Sequence, residues 1–123
     1  MSNARILYLD DEEPLVFIVK RMLKHLGYEP ECFTRAEDAL AAFKVAPDQY
    51  DLVLTDLAMP GMSGVDFAEA ILKMRPQTRV VIVSGYAEQK DADRATALGV
   101  KAVIRKPATL DELKQTVIDL LTM

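Results

Sequence analysis

Four short apolar runs punctuate the chain: Ile6 to Leu9, Leu52 to Leu54, Val80 to Val83 and Ala102 to Ile104. None alternates apolar with polar residues, so each predicts a strand buried on both faces, as in a parallel sheet. A weaker fifth strand is predicted over Glu29 to Phe33, between the turn at Gly27 and the start of a helix. The intervals carry helical periodicity instead. Leu15, Ile18, Val19, Met22, Leu23 and Leu26 recur as one stripe, with Gly27 as a natural stop. Leu110, Leu113, Val117, Leu120 and Leu121 line one side of a last helix. Thr34 followed by Glu37, and Thr109 by Glu112, fit the capping box; Ser63 with Asp66 is a looser version. The order is strand then helix, five times. Right-handed crossovers then place helices on both faces of one parallel sheet.

The 123-residue length suits one domain with one core. Half the residues are apolar and 28% are charged, which predicts an ordinary globular domain. No apolar run approaches the ~20 residues that span a bilayer, so no membrane helix is expected. Cys32 is the single cysteine, which excludes an internal disulfide and a thiolate metal cluster and fits a reducing cytoplasm. The net charge of −4, with no basic patch, argues against direct nucleic-acid binding. Met1 to Ala4 reads as a tag remnant or disordered start, and the domain is expected over residues 5–123.

In an open parallel sheet, ligands bind at the carboxyl ends of the strands. There the predicted runs deliver Asp10 and Asp11, then Asp56, then Ser84, then Lys106 followed by Pro107. Two like unit charges ~4 Å apart repel by roughly 4 kcal/mol at a surface-like dielectric. Three convergent carboxylates therefore call for a raised pKa, a metal, or Lys106 as partner. Oxygen ligands favour a hard dication, and Mg²⁺ takes one or two carboxylates while keeping waters and room for a phosphate oxygen. Glu12 and Glu13 need no such role. They precede Pro14, which suits a first helical turn, and acidic groups there complement the helix dipole.

The stretches "LYLDDE", "LVLTDLAMPGMSG", "VVIVSGYA" and "VIRKP" together resemble the receiver domain of two-component response regulators, over Arg5 to the end of the chain. The resemblance implies a flavodoxin-like (βα)5 three-layer sandwich with strand order 2-1-3-4-5. It implies a signalling domain rather than an enzyme, with self-catalysed phosphotransfer and autodephosphorylation. Asp56 is the implied phosphoacceptor, attacking a phosphohistidine or a small acyl phosphate. Mg²⁺ or Mn²⁺ would lie on Asp11 directly, on Asp10 largely through water, on Asp56, and on the Ala58 backbone carbonyl. Lys106 would pair with Asp56 and then with a phosphoryl oxygen, oriented by a cis bond to Pro107. Ser84 would hydrogen-bond the phosphoryl group and draw its loop inward.

Where many members carry Tyr or Phe three residues before the lysine, this chain has Val103, and Ala108 stands where Phe is common. Tyr86, beside Ser84, is a candidate substitute for the missing ring. The implied partner is a histidine kinase or histidine phosphotransfer protein, with a homodimer or output domain on the face of the fourth helix, fifth strand and fifth helix. "DLAMPGMSG" and "RKPATLDEL" resemble receivers of hybrid sensor histidine kinases, and a cytoplasmic location is expected. The alternative is a degenerate receiver acting as a phosphorylation-independent interaction module; the complete set of site residues counts against it. A haloacid-dehalogenase-type phosphatase needs a second Asp two residues after Asp56, where Ala58 stands. A flavin phosphate would meet repulsion from Asp10 to Glu13. Met59 and Met62 read as loop packing, His25 as a surface residue and Cys32 as a small buried hydrophobe.

Overall fold

The computed structural model describes residues 4–85, 88–106 and 109–122. Five strand–helix units follow one another: β1 (Arg5–Leu9), α1 (Glu13–His25), β2 (Glu29–Phe33), α2 (Ala36–Val45), β3 (Leu52–Asp56), α3 (Gly64–Met74), β4 (Val80–Ser84), α4 (Gln89–Leu98), β5 (Ala102–Arg105) and α5 (Leu110–Leu121). A short 3-10 turn, Pro47–Gln49, leads into β3. All strand pairs are parallel and the sheet order is β2-β1-β3-β4-β5. The expected flavodoxin-like order is observed. The chain moves from β1 outward to β2, then returns to β3 on the other side, so strand order reverses at the β1/β3 boundary. That is where an open sheet splays its loops apart and leaves a crevice.

Strand alternation sorts the apolar side chains onto two faces. Leu7, Leu9, Val53 and Ile82 join Phe43 of α2, Phe67 and Ile71 of α3 and Ala95 of α4. Ile6, Tyr8, Leu54, Val81 and Val83 join Val19 and Leu23 of α1 and Val117 and Leu120 of α5. The sheet is thus covered on both sides, and its apolar runs needed no polar alternation. Met59 and Met62 pack against the first cluster, and Cys32 packs half-buried against the second. His25 is exposed.

Local signals mostly settle the helix ends. Ser63 Oγ accepts from the Asp66 amide at 3.1 Å, and Thr109 Oγ1 from the Glu112 amide at 3.2 Å. Glu12 occupies the cap of α1, with Pro14 in its first turn. Gly27 (φ 91°) follows α1 and Gly99 (φ 99°) closes α4, both in the left-handed conformation that suits glycine. The Thr34 capping box is the exception. Arg35 sits at the cap of α2 without a side-chain cap bond, and Glu37 pairs with Arg35 instead. The start of α2 follows from where Ala39 and Phe43 bury, which outweighs a cap worth ~1 kcal/mol.

Candidate functional site

β1 ends at Leu9, and the next residue, Asp10, is only 1% exposed. Its carboxylate is held by three donors. The Glu12 amide donates to Oδ1 at 3.0 Å, a local turn that Asp side chains favour. Tyr8 Oη donates to Oδ2 at 3.1 Å, and Lys106 Nζ donates to the same oxygen at 3.3 Å. Asp11 is exposed at the mouth. Asp56 ends β3, half-buried, and Oδ1 accepts from the Leu57 amide at 2.9 Å. One carboxylate oxygen from each of Asp10, Asp11 and Asp56 lies within 4.8 Å of the others. The crevice at the β1/β3 boundary therefore holds the three carboxylates the sequence singled out.

The electrostatics carry the mark of that crowding. Burial pushes the Asp56 carboxyl above its ordinary value, the Asp10 charge pushes it further, and Lys106 and the Leu57 amide only partly oppose this. Burial alone would lower the Lys106 ammonium, yet Asp10 and Asp56 raise it above the usual lysine value. The lysine is thus fixed as a cation. Its ion pair in this structure is with Asp10, and it acts on Asp56 through the shared field. A cluster of hard oxygen donors with unbalanced negative charge suits a Mg²⁺-like dication and suits soft metals poorly.

Ser84 is buried at the end of β4, where its carbonyl accepts from the Lys106 amide at 2.6 Å. That bond ties the two strand ends carrying Ser84 and Lys106. Val103 is half-buried in β5 and packs on the α2/α3/α4 side. Ala58 is exposed, two residues past Asp56. Tyr86, Pro107 and Ala108 lie outside the described residues, and with them the expected cis bond.

Two features at the site were not legible beforehand. Tyr8 reaches Asp10 because residues two apart at a strand end share a face; the strand period held the signal, but the run read simply as apolar. Gly64, the first residue of α3, lies against the end of β3. A Cβ there would sit 2.2 Å from the Asp56 carbonyl oxygen and 2.9 Å from Leu57 Cα. The glycine allows a helix to begin in contact with the strand end that carries Asp56.

Comparison with known proteins agrees with this architecture. A family model described as "Response regulator receiver domain" matches residues 6–118. The sensory/regulatory protein RpfC of Xanthomonas campestris pv. campestris is 32% identical over 124 residues, covering 98% of this chain and 17% of that protein. The autoinducer 1 sensor kinase/phosphatase LuxN of Vibrio harveyi is 31% identical over 113 residues, covering 92% of this chain and 13% of that protein. The chain thus spans a small part of the length of these relatives. Among solved structures, the response regulator protein TrrA from Thermotoga maritima, in complex with Mg(2+)-BeF, aligns with a TM-score of 0.80 and 31% identity, over 95% of this chain and 98% of that one.

Proposed function

This chain belongs to the response regulator receiver domain family, and on that premise we propose that Asp56 accepts a phosphoryl group from a phosphohistidine and so switches the domain's contacts in a two-component phosphorelay. The observation that carries the reading is the meeting of Asp10, Asp11 and Asp56 with Lys106 at the point where strand order reverses. An Asp56 oxygen attacks phosphorus in line, the P–N bond of the donor breaks, and an acyl phosphate forms. Such transfers need positioning and charge neutralisation more than covalent assistance. The raised Lys106 ammonium supplies a permanent cation, and the Leu57 amide orients the attacking carboxylate. Asp11, Asp10, Asp56 and the Ala58 carbonyl would hold Mg²⁺ or Mn²⁺, which supplies neutralisation of the phosphoryl oxygens. Ser84 then binds the phosphoryl group from the end of β4.

The donor is a histidine kinase or a histidine phosphotransfer protein. The likeness to a sensor kinase/phosphatase of which the chain would span only 13% supports a receiver segment of a hybrid sensor kinase in the cytoplasm. The α4–β5–α5 face carries the output contact, to a second copy or to another domain. Among the described residues no helix is long and apolar enough to cross a membrane.

The test is addition of Mg²⁺ and beryllofluoride to the wild type and to Asp56→Asn, followed by unfolding. At a hundred times its dissociation constant, a ligand of the folded form alone adds ~2.7 kcal/mol. That gain is expected in the wild type only. An equal gain in Asp56→Asn removes Asp56 from the phosphoacceptor role.

A further inference from the structure

We propose that Tyr8 is a positioning residue for phosphoryl acceptance: its phenol holds the Asp10 carboxylate so that the Lys106 ammonium is shared with that carboxylate and remains releasable. The inference rests on the phosphoacceptor reading above. It starts from a problem that reading creates. Asp10 Oδ2 accepts from two side chains, the phenol at 3.1 Å and the ammonium at 3.3 Å. Lys106 must leave that oxygen to meet an incoming phosphoryl group. Asp10 is 1% exposed, so its carboxylate depends on the donors packed around it, and a buried carboxylate stripped of partners is costly. With Tyr8 in place, Oδ2 keeps a donor after the lysine departs.

The surroundings make the phenol hard to replace. Tyr8 and Lys106 both line a cavity of about 200 Å³ between α1 and α5, otherwise walled by Leu15, Ile18, Val83, Leu110 and Leu113, with Thr109 as its other polar residue. The ring is 5% exposed and packed in the α1/α5 cluster, so the hydroxyl is fixed by its own core packing. Lys106, by contrast, keeps 29% of its side chain exposed, so solvent can receive its ammonium when it leaves. One donor is anchored in the core and the other borders solvent, on the same oxygen.

Removing only the hydroxyl separates this role from packing. In Tyr8→Phe the ammonium becomes the sole side-chain donor to Oδ2 and is retained there. It then neutralises part of the acidic cluster and opposes a dication. Partners that orient a metal ligand typically contribute ~10–100-fold in affinity, and Tyr8→Phe is expected to weaken Mg²⁺ binding about tenfold. The measurement is a Mg²⁺ titration of the unphosphorylated domain, read from the amide resonances of Asp11 and Leu57, with the rest of the spectrum reporting an intact fold. The same pair is compared in a Lys106→Ala background. There the Tyr8→Phe effect should shrink to less than twofold, because no ammonium remains to be retained. A change under twofold in the first background shows that Tyr8 only fills the core and overturns the proposal. A loss of equal size in both backgrounds also overturns it, since the phenol would then act on Asp10 alone. If the wild type itself takes up no Mg²⁺, the phosphoacceptor reading falls and this inference with it, a result the wild-type titration reveals alone.

Discussion

Towards the amino ends of the strands, opposite charges meet. Arg5 pairs with Glu31, reaches Gln49, and lies 5.4 Å from the Tyr50 ring centre; Tyr50 in turn donates to Glu31. The Arg5 amide donates to Asp51 at 2.8 Å, and Arg79 donates to the Leu120 carbonyl at 2.8 Å. The cleft of about 670 Å³ that opens there carries Asp48 and Asp51 alongside Arg75 and Arg79. At the carboxyl ends three carboxylates crowd around one lysine. The wide cleft is thus electrically balanced, and the crowded end is not. A cleft of about 660 Å³ beside Asp11, Met59 and Met62 nearly equals the wide one in size, so volume does not tell the two ends apart and charge does. Uncompensated charge of one sign is what a folded chain avoids unless something else occupies the site, and this is what supports placing the proposed chemistry at that end.

The largest effect is expected at Gly64, where the acidic end is held in shape by backbone contact. Gly64→Ala forces a methyl group against the Asp56 carbonyl and should cost ~1–3 kcal/mol, as overpacking does, or more because the neighbour is backbone. Urea unfolding measures it; a loss below about 0.5 kcal/mol would mean that α3 shifts freely away from β3, and that the close approach does not fix Asp56.

Removing charge from the crowded end should instead stabilise. The Asp56 carboxyl is raised in the folded state, so the folded protein holds that proton more readily than the unfolded chain. Its contribution favours folding below the ordinary carboxylate value and is lost as pH rises through the raised one. Metal-free Asp56→Asn should therefore be more stable than wild type at neutral pH, by on the order of 1 kcal/mol from relieved like-charge repulsion partly offset by Lys106. The difference should shrink on acidification. A gain that does not change with pH would assign the effect to packing rather than charge.

The same kind of deletion at the paired end should have the opposite sign. Tyr50 stacks on Phe43 at 5.6 Å, and burial together with Glu31 pushes its phenol up to about 12. Tyr50→Phe removes one hydrogen bond, and because the Glu31 side chain is 36% exposed water can take the donor's place, so the loss should be ~0.5–1 kcal/mol. In the wild type, an ultraviolet titration should show one phenol ionising near 12 that is missing in the variant. A neutral or stabilising result would erase the contrast between the two ends.

Much of the fold could be read along the chain. Continuous apolar runs required a sheet covered twice, and the helical stripes between them required crossovers, so the five-unit order followed. The strand-end positions of Asp10, Asp11, Asp56, Ser84 and Lys106 followed from the same pattern. The strand order was an expectation from family resemblance, because periodicity tells which faces are buried and not which strand lies beside which. At α2 the Thr34–Glu37 spacing misled, because a local cap competes weakly with the burial of Ala39 and Phe43.

Sequence by itself determined which side chains sit at strand ends, since period and chain order are properties of the chain. Tertiary structure decided which of them share an oxygen. The pairing of Tyr8 and Lys106 on Asp10 Oδ2 joins residues 2 and 96 positions away. The approach of Gly64 to Asp56 depends on how α3 seats against β3. Both are set by distances between elements, and no one-dimensional pattern carries a distance that only packing can fix.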